Sequence, residues 1–235
     1  TSAQLGKPDY NLAIKQHAEY IKALESCGLD VICLDADPDF PDSTFVEDVA
    51  LLTANSAIIT NPGALSRRGE VKGMRAILDD YYTQIYAIQS PGTLEAGDVM
   101  MVGTHFYIGL SERTNRNGAE QLIANLESYE LSGSVVELKD VLHLKTGVAY
   151  LEHNNLVACG EFLSHPDFQE FNLIPIDATE SYAANCIWVN DTVLVPLGFP
   201  KTREAIRSVG YQTVEIDVSE FQKLDGGLSC LSLRF

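Results

Sequence analysis

Four times along this chain two apolar, β-prone runs flank a short polar turn: "DVALLTANSAIIT" from Asp48, "DVMMVGTHFYIGL" from Asp98, "GVAYLEHNNLVAC" from Gly147 and "ANCIWVNDTVLVP" from Ala184. After each hairpin come a helical stretch and one more apolar run, a repeat of period rather than of letters. The first helix is expected around Glu70 to Tyr82, leading to "QIYAIQ", and the second over Asn117 to Tyr129, leading to "SVVELKDV". A shorter, poorer helix near Asp167 to Phe171 precedes "LIPID", and Lys201 to Val209 leads into "TVEIDV". The unit is strand, strand, helix, strand, and the fold class it predicts is α/β.

A fifth unit is present but divided. "NLAIKQHAEYIKALESCG" is an amphipathic helix, with Leu12, Ile14, His17, Ile21, Leu24 and Cys27 at mostly three- and four-residue steps, and "DVICLDAD" reads as its strand. The C-terminal "LSCLSLRF" can supply one strand of the missing hairpin, so that the chain ends meet and close a ring of five units. The other hairpin strand would precede Thr1, and we expect it to lie outside this sequence.

A closed ring of repeats puts equivalent positions at equivalent depths around its axis. The junctions between one unit's last strand and the next hairpin are therefore the places where chemistry can gather. They read "DADPDFPDSTFVED", "SPGTLEAGD", "LKDVLHLKTG", "DATESYAAN" and "SEFQKLDGGLSC". Close to the hairpin starts they offer Asp42, Glu47 and Asp48, then Glu95, then His143, then Cys230. Taken alone, Cys230 among Leu228, Leu231 and Leu233 reads as a buried small hydrophobe; the repeat gives it the same topological slot as a histidine and several carboxylates.

The remaining constraints are mostly exclusions. A chain of 235 residues without a linker-like tract reads as a single domain, 1–235, with one substantial core. A formal charge of −17 argues against nucleic acid or an anionic membrane as partner, suits a small cationic ligand, and also serves plain solubility. Cys27, Cys33, Cys159, Cys186 and Cys230 are an odd set without CxxC spacing, which fits reduced thiols and a cytoplasmic location. No apolar run approaches a membrane span, and no basic-then-apolar segment opens the chain. His17, His105, His153 and His165 read as structural or surface histidines, so no metal is assigned. A homodimer is compatible with the sequence.

A thiol is a nucleophile only as thiolate, which calls for a base, a positive neighbour or a cationic substrate. His143 can exchange protons near neutral pH. Asp48 and Glu95 put negative charge in the same place, which disfavours the thiolate until a cation arrives. The combination selects a positively charged electrophile, and a guanidinium, with its planar fork of N–H donors, suits paired carboxylates. Arg67, Arg68 and Arg113 read singly as solvated loop charges, although an arginine is what a ligand carboxylate requires.

The motifs "PDSTFVEDVALL", "NPGALSRRGEV", "TLEAGDVM", "GLSERTN", "LHLKTG" and "GGLSCLSLRF", in order over essentially the whole chain, closely resemble the dimethylarginine dimethylaminohydrolase (dimethylargininase) family. The resemblance implies a five-bladed α/β-propeller, the pentein fold of the guanidine-modifying superfamily, in agreement with the ring read from the repeat. It implies Cys230 as nucleophile, His143 as general acid and base, and Glu95 as the carboxylate beside both histidine and guanidinium. Asp42, Glu47 and Asp48 match the family's acidic substrate-binding loop, with Asp48 facing the guanidinium, and Arg67 and Arg113 match the arginines that hold the α-carboxylate. The implied reaction turns Nω,Nω-dimethylarginine or Nω-methylarginine into citrulline and dimethylamine or methylamine through a thiouronium on Cys230. No metal or organic cofactor is called for, although a Cys–His pair in one pocket can bind zinc as an inhibitor. Two departures stand out: Ala96 replaces a frequent glycine, and the N-terminal region that carries the family's lid is short, so we expect a lid segment to be missing here.

Arginine deiminases and amidinotransferases typically carry His-x-Asp at the catalytic histidine, where the aspartate clamps the second guanidinium nitrogen. This chain has "HLK", with Lys145 in that place, and an unclamped nitrogen leaves room for methyl groups. An arginine deiminase and a non-catalytic protein that binds arginine derivatives are the alternatives that remain open at the level of sequence.

Overall fold

The computed structural model describes residues 3–235. Its contacts separate two compact units: residues 36–145 with 230–235, and the chain up to Asp35 with residues 146–229. Among the described residues no helix is long and apolar enough to cross a membrane.

The unit holding residues 36–145 contains two sheets built to one plan. In the first, β1 (Ala50–Leu52) pairs antiparallel with β2 (Ala57–Ile59), and β3 (Ile85–Ala87) returns parallel to β2 after helix α2 (Glu70–Leu78). The second repeats this with β4 (Val99–Val102), β5 (His105–Leu110) and β6 (Ser132–Glu137), and α3 (Arg116–Glu127) is its crossover helix. Asn115 starts α3 as an N-cap, its side chain accepting the Gly118 N–H at 2.8 Å. Ala119, Leu122 and Leu126 then recur at three- and four-residue steps and are buried on Phe106 and Ile108. Each such leucine contributes about 2 kcal/mol by leaving water. Met74 and Leu78 of α2 pack in the same way on Ala50, Leu52 and Ile59, and Leu233 from the chain end joins that cluster.

In the other unit, β7 (Val148–Tyr150), β8 (Asn155–Ala158) and β9 (Asn172–Pro175) form a third sheet, and β10 (Ile187–Val189), β11 (Thr192–Pro196) and β12 (Gln212–Ile216) a fourth. Short helix α4 (Leu144–Gly147) leads into β7. Only β8 and β9 lack a true crossover helix: the poor helix expected near Asp167 is a pair of 3₁₀ turns over Gly160–Ser164 and Pro166–Phe168, where Pro166 cannot extend a preceding helix. Helix α5 (Pro200–Ser208), with proline in its first turn, joins β11 to β12. The two-residue turn between β10 and β11 has Asn190 and Asp191 at φ 45° and 69°, the left-handed pair a tight hairpin demands.

The divided fifth unit departs from expectation. Helix α1 (Tyr10–Ser26) forms, capped by Asp9 and anchored where the Tyr20 hydroxyl donates to the Leu228 carbonyl at 2.9 Å. Residues 31–37, however, form no strand, and the C-terminal stretch makes a 3₁₀ turn over Ser229–Leu231 rather than a strand. A strand needs a neighbouring strand to pair with, and neither segment joins one of the four sheets among the described residues. The helix α6 (Ser219–Gln222) ends just before Gly226 and Gly227, and an ideal Cβ at Gly227 would lie 2.6 Å from the Asn185 side chain. Asn185 in turn accepts the Ser229 N–H at 2.9 Å, so the double glycine lets the chain press against that amide.

Candidate active site

Short turns at the hairpin starts present most of the singled-out residues, as the repeat implies. The 3₁₀ turn Val46–Val49 precedes β1 and buries Glu47 and Asp48. The turn Ala96–Asp98 precedes β4 and follows the buried Glu95. His143 stands immediately before α4, and Cys230, half-buried, sits in the C-terminal turn of the same unit. None of the five cysteines is in a disulfide.

Three of these side chains converge. A carboxylate oxygen of Asp48, one of Glu95 and a ring nitrogen of His143 lie within 4.8 Å of one another. His143 Nε2 is 2.8 Å from Glu95 Oε2, and Glu95 Oε1 accepts the Ala64 N–H at 3.0 Å, which fixes the carboxylate. Asp48 Oδ1 accepts the Gly97 N–H at 3.0 Å. Only glycine fits there: a Cβ on residue 97 would stand 2.7 Å from Asp48 Oδ1 and 3.1 Å from the imidazole.

The electrostatics follow from this packing. Burial alone would push His143 down, but Asp48, the hydrogen bond to Glu95, and Asp98 outweigh it and raise its pKa to about 9. Burial likewise opposes ionisation of Asp48, yet His143 and Arg67 beside it hold its pKa below the usual value. Asp98, fully buried, is shifted up by burial. With its pKa raised to about 9, His143 carries its proton at neutral pH, a proton donor held beside Asp48 and Glu95. A divalent cation could span the three ligand atoms only after displacing the His143 proton, since a metal binds neutral imidazole.

Arg67 and Arg113, paired in the sequence reading, occupy different settings. Arg67 is buried; Nε and Nη2 donate to Glu70, Nη1 donates to Asp48, and Nη2 also donates to the carbonyls of Phe45 and Asp42, at 2.8 and 3.2 Å. Of its five N–H donors one, on Nη1, is left for a ligand, so Arg67 can give a ligand carboxylate at most one hydrogen bond in this arrangement. Arg113 is half-buried, and its guanidinium makes no hydrogen bond or ion pair among the described residues. Its backbone runs against Gly63, where a Cβ would lie 2.5 Å from the Arg113 carbonyl oxygen. Asp42 is exposed and enters only through its carbonyl. Lys145 sends its ammonium to Glu47 Oε1 at 2.6 Å.

Asp98 and Glu70 were not among the residues expected to matter. The signal for Asp98 is its place in "LEAGD", where an acid before a strand equally suits a turn; Glu70 has none, because an acid in the first turn of a helix is ordinary.

Against known families, the one described as N,N dimethylarginine dimethylhydrolase, eukaryotic, matches residues 5–176. The N(G),N(G)-dimethylarginine dimethylaminohydrolase of Pseudomonas aeruginosa is 59% identical over 236 residues, spanning 100% of this chain and 93% of that protein. The chain belongs to the dimethylarginine dimethylaminohydrolase family. A solved dimethylarginine dimethylaminohydrolase from Pseudomonas aeruginosa, a cysteine-to-serine mutant complexed with citrulline, superposes with a TM-score of 0.98 at 58% identity, covering 100% of this chain and 92% of that one. The N-terminal domain of ArgZ, a cyanobacterial arginine dihydrolase, reaches a TM-score of 0.85 at 20% identity over 97% of this chain and 87% of its own, which extends the shared α/β fold beyond the dimethylarginine dimethylaminohydrolases.

Proposed function

We infer that this chain hydrolyses Nω-methylated arginines, Nω,Nω-dimethylarginine or Nω-methylarginine, to citrulline and the corresponding methylamine. The observation that carries the mechanism is the imidazolium of His143 held beside Asp48 and Glu95, a proton donor inside an acidic cluster. A guanidinium arriving beside that cluster brings the positive charge that favours a thiolate nearby. The Cys230 sulfur attacks the guanidinium carbon and forms a C–S bond. His143 gives its proton to the departing dimethylamine as the C–N bond breaks, leaving a thiouronium. The neutral imidazole then takes a proton from water, whose oxygen adds to the same carbon, and the C–S bond breaks to release citrulline.

In this reading Asp48 and Glu95 bind the guanidinium, Glu95 also orienting His143. Arg113 holds the α-carboxylate, Arg67 adds at most one hydrogen bond to it, and Asp42 with Glu47 completes the acidic rim. In the same reading the chain is one catalytic domain of five ββαβ blades, supported by three sheets with the full strand, strand, helix, strand order and a fourth whose crossover is a pair of 3₁₀ turns. A citrulline assay with dimethylarginine, methylarginine and arginine tests the function. Turnover of the methylated substrates with arginine much poorer is expected; preference for arginine would make the chain a deiminase, and binding without turnover a sensor.

A further inference from the structure

Asp98 joins the three segments that carry His143, Glu95 and Arg113. Its Oδ1 accepts the N–H of Leu144, the residue after His143, at 3.0 Å. Its Oδ2 accepts the Ser111 hydroxyl at 2.7 Å, and Ser111 Oγ accepts the N–H groups of Arg113 at 2.9 Å and Thr114 at 3.2 Å. The Thr114 hydroxyl accepts the Glu95 N–H at 3.1 Å. Asp98 is fully buried, so water cannot stand in for the groups that donate to it. Accepting a backbone N–H on one oxygen and the Ser111 hydroxyl on the other suits an acceptor-only group, which at this size means a carboxylate.

We propose that Asp98 is a positioning residue that fixes the Arg113 loop in register with His143 by way of Ser111, and so sets where the substrate's α-carboxylate lies relative to the reacting carbon. This rests on the reading of Arg113 as the carboxylate-binding residue. The linkage predicts which half of the site a conservative change disturbs. In Asp98→Asn the amide oxygen stays on the Leu144 N–H, because a backbone donor cannot become an acceptor. The amide NH₂ then faces Ser111 Oγ, whose two lone pairs already receive the Arg113 and Thr114 N–H groups. One of those bonds must break, and the Arg113 loop loosens while His143 keeps its anchor.

The test compares methylarginine with its decarboxylated analogue as substrates of the wild type, Arg113→Ala, Asp98→Asn, Ser111→Ala and the Asp98→Asn/Ser111→Ala double variant. KM for methylarginine is expected to rise roughly fivefold in Asp98→Asn and in Ser111→Ala, the usual cost of one hydrogen bond, with KM for the analogue nearly unmoved and kcat changing less than KM. The double variant is expected to be no worse than the poorer single one, because both cut the same link. Equal KM increases for both substrates, or additive losses, with Arg113→Ala still discriminating between them, overturn the linkage alone. If Arg113→Ala fails to discriminate, the reading of Arg113 falls and the linkage with it. Should Asp98→Asn not fold, the KM split of Ser111→Ala decides by itself.

Discussion

His143 Nε2 stands 2.8 Å from Glu95 Oε2, and the other oxygen of that carboxylate is pinned by the Ala64 N–H at 3.0 Å, so the imidazole is aimed by a group that cannot itself swing away. With Asp48 completing the cluster, the proton on His143 is held far more tightly than on a free histidine.

That proton should be visible in both stability and activity. The pKa is raised from 6.5 to about 9 on folding, so the stabilising contribution is whole below 6.5 and is lost as the pH rises through about 9. Activity that needs the imidazolium should fall over the same upper limb, and Glu95→Gln, which removes one of the charges raising the pKa, should move that limb to lower pH. An NMR titration of the His143 ring is the check; a midpoint at or below 6.5 would contradict the assignment.

Removing Arg67 should hurt the fold more than the substrate. Arg67→Ala leaves Asp48 and Glu70 buried without their cation, a change that costs about 3–5 kcal/mol in comparable buried ion pairs. Urea unfolding would measure it. A loss below about 1 kcal/mol together with a large rise in KM would instead mean that Arg67 serves the ligand carboxylate as fully as the sequence resemblance implies.

Arg113→Ala should do the opposite, because its guanidinium has no partner among the described residues to leave stranded. We expect near-normal unfolding and a KM for methylarginine higher by roughly one to two orders of magnitude, as for loss of a charge-assisted hydrogen bond of about 1.5–3 kcal/mol. Steady-state kinetics settle the matter; an unchanged KM would leave the carboxylate to another group.

Lys145 separates this site from one clamped by an aspartate. Its ammonium neutralises Glu47 at 2.6 Å, so Lys145→Asp deletes that pair and adds a carboxylate beside it. Unmodified arginine can satisfy an added carboxylate with N–H groups, whereas a dimethylated nitrogen cannot, and the kcat/KM ratio should shift toward arginine even as total activity drops. An unchanged ratio in a folded, active variant would place selectivity elsewhere in the acidic loop.

Much of this was legible in the sequence because it is local. Alternating apolar residues and turn pairs such as Asn190-Asp191 specify each hairpin, and the spacing of Leu122 and Leu126 specifies a crossover helix, without reference to distant residues. The divided unit failed as a sheet because a strand at residues 31–37 depends on a partner far away in sequence, which no local pattern reveals. The same limit applies within the site. The register of the repeat points to Glu95 and His143, and those two do meet; it cannot show that Arg67 turns inward to Asp48 and Glu70, or that Asp98 links Leu144 to Ser111, since those are choices among distant partners.

The central claim is that Cys230 is the nucleophile, and the direct measurement is citrulline formed from dimethylarginine by Cys230→Ser beside the wild type, with unfolding curves to show that both are folded. A serine hydroxyl lacks the thiolate's nucleophilicity, and no neutral base stands ready for it while His143 is protonated. Rapid citrulline production by the wild type and none above background by the variant are expected; sustained turnover by folded Cys230→Ser would remove Cys230 as the nucleophile.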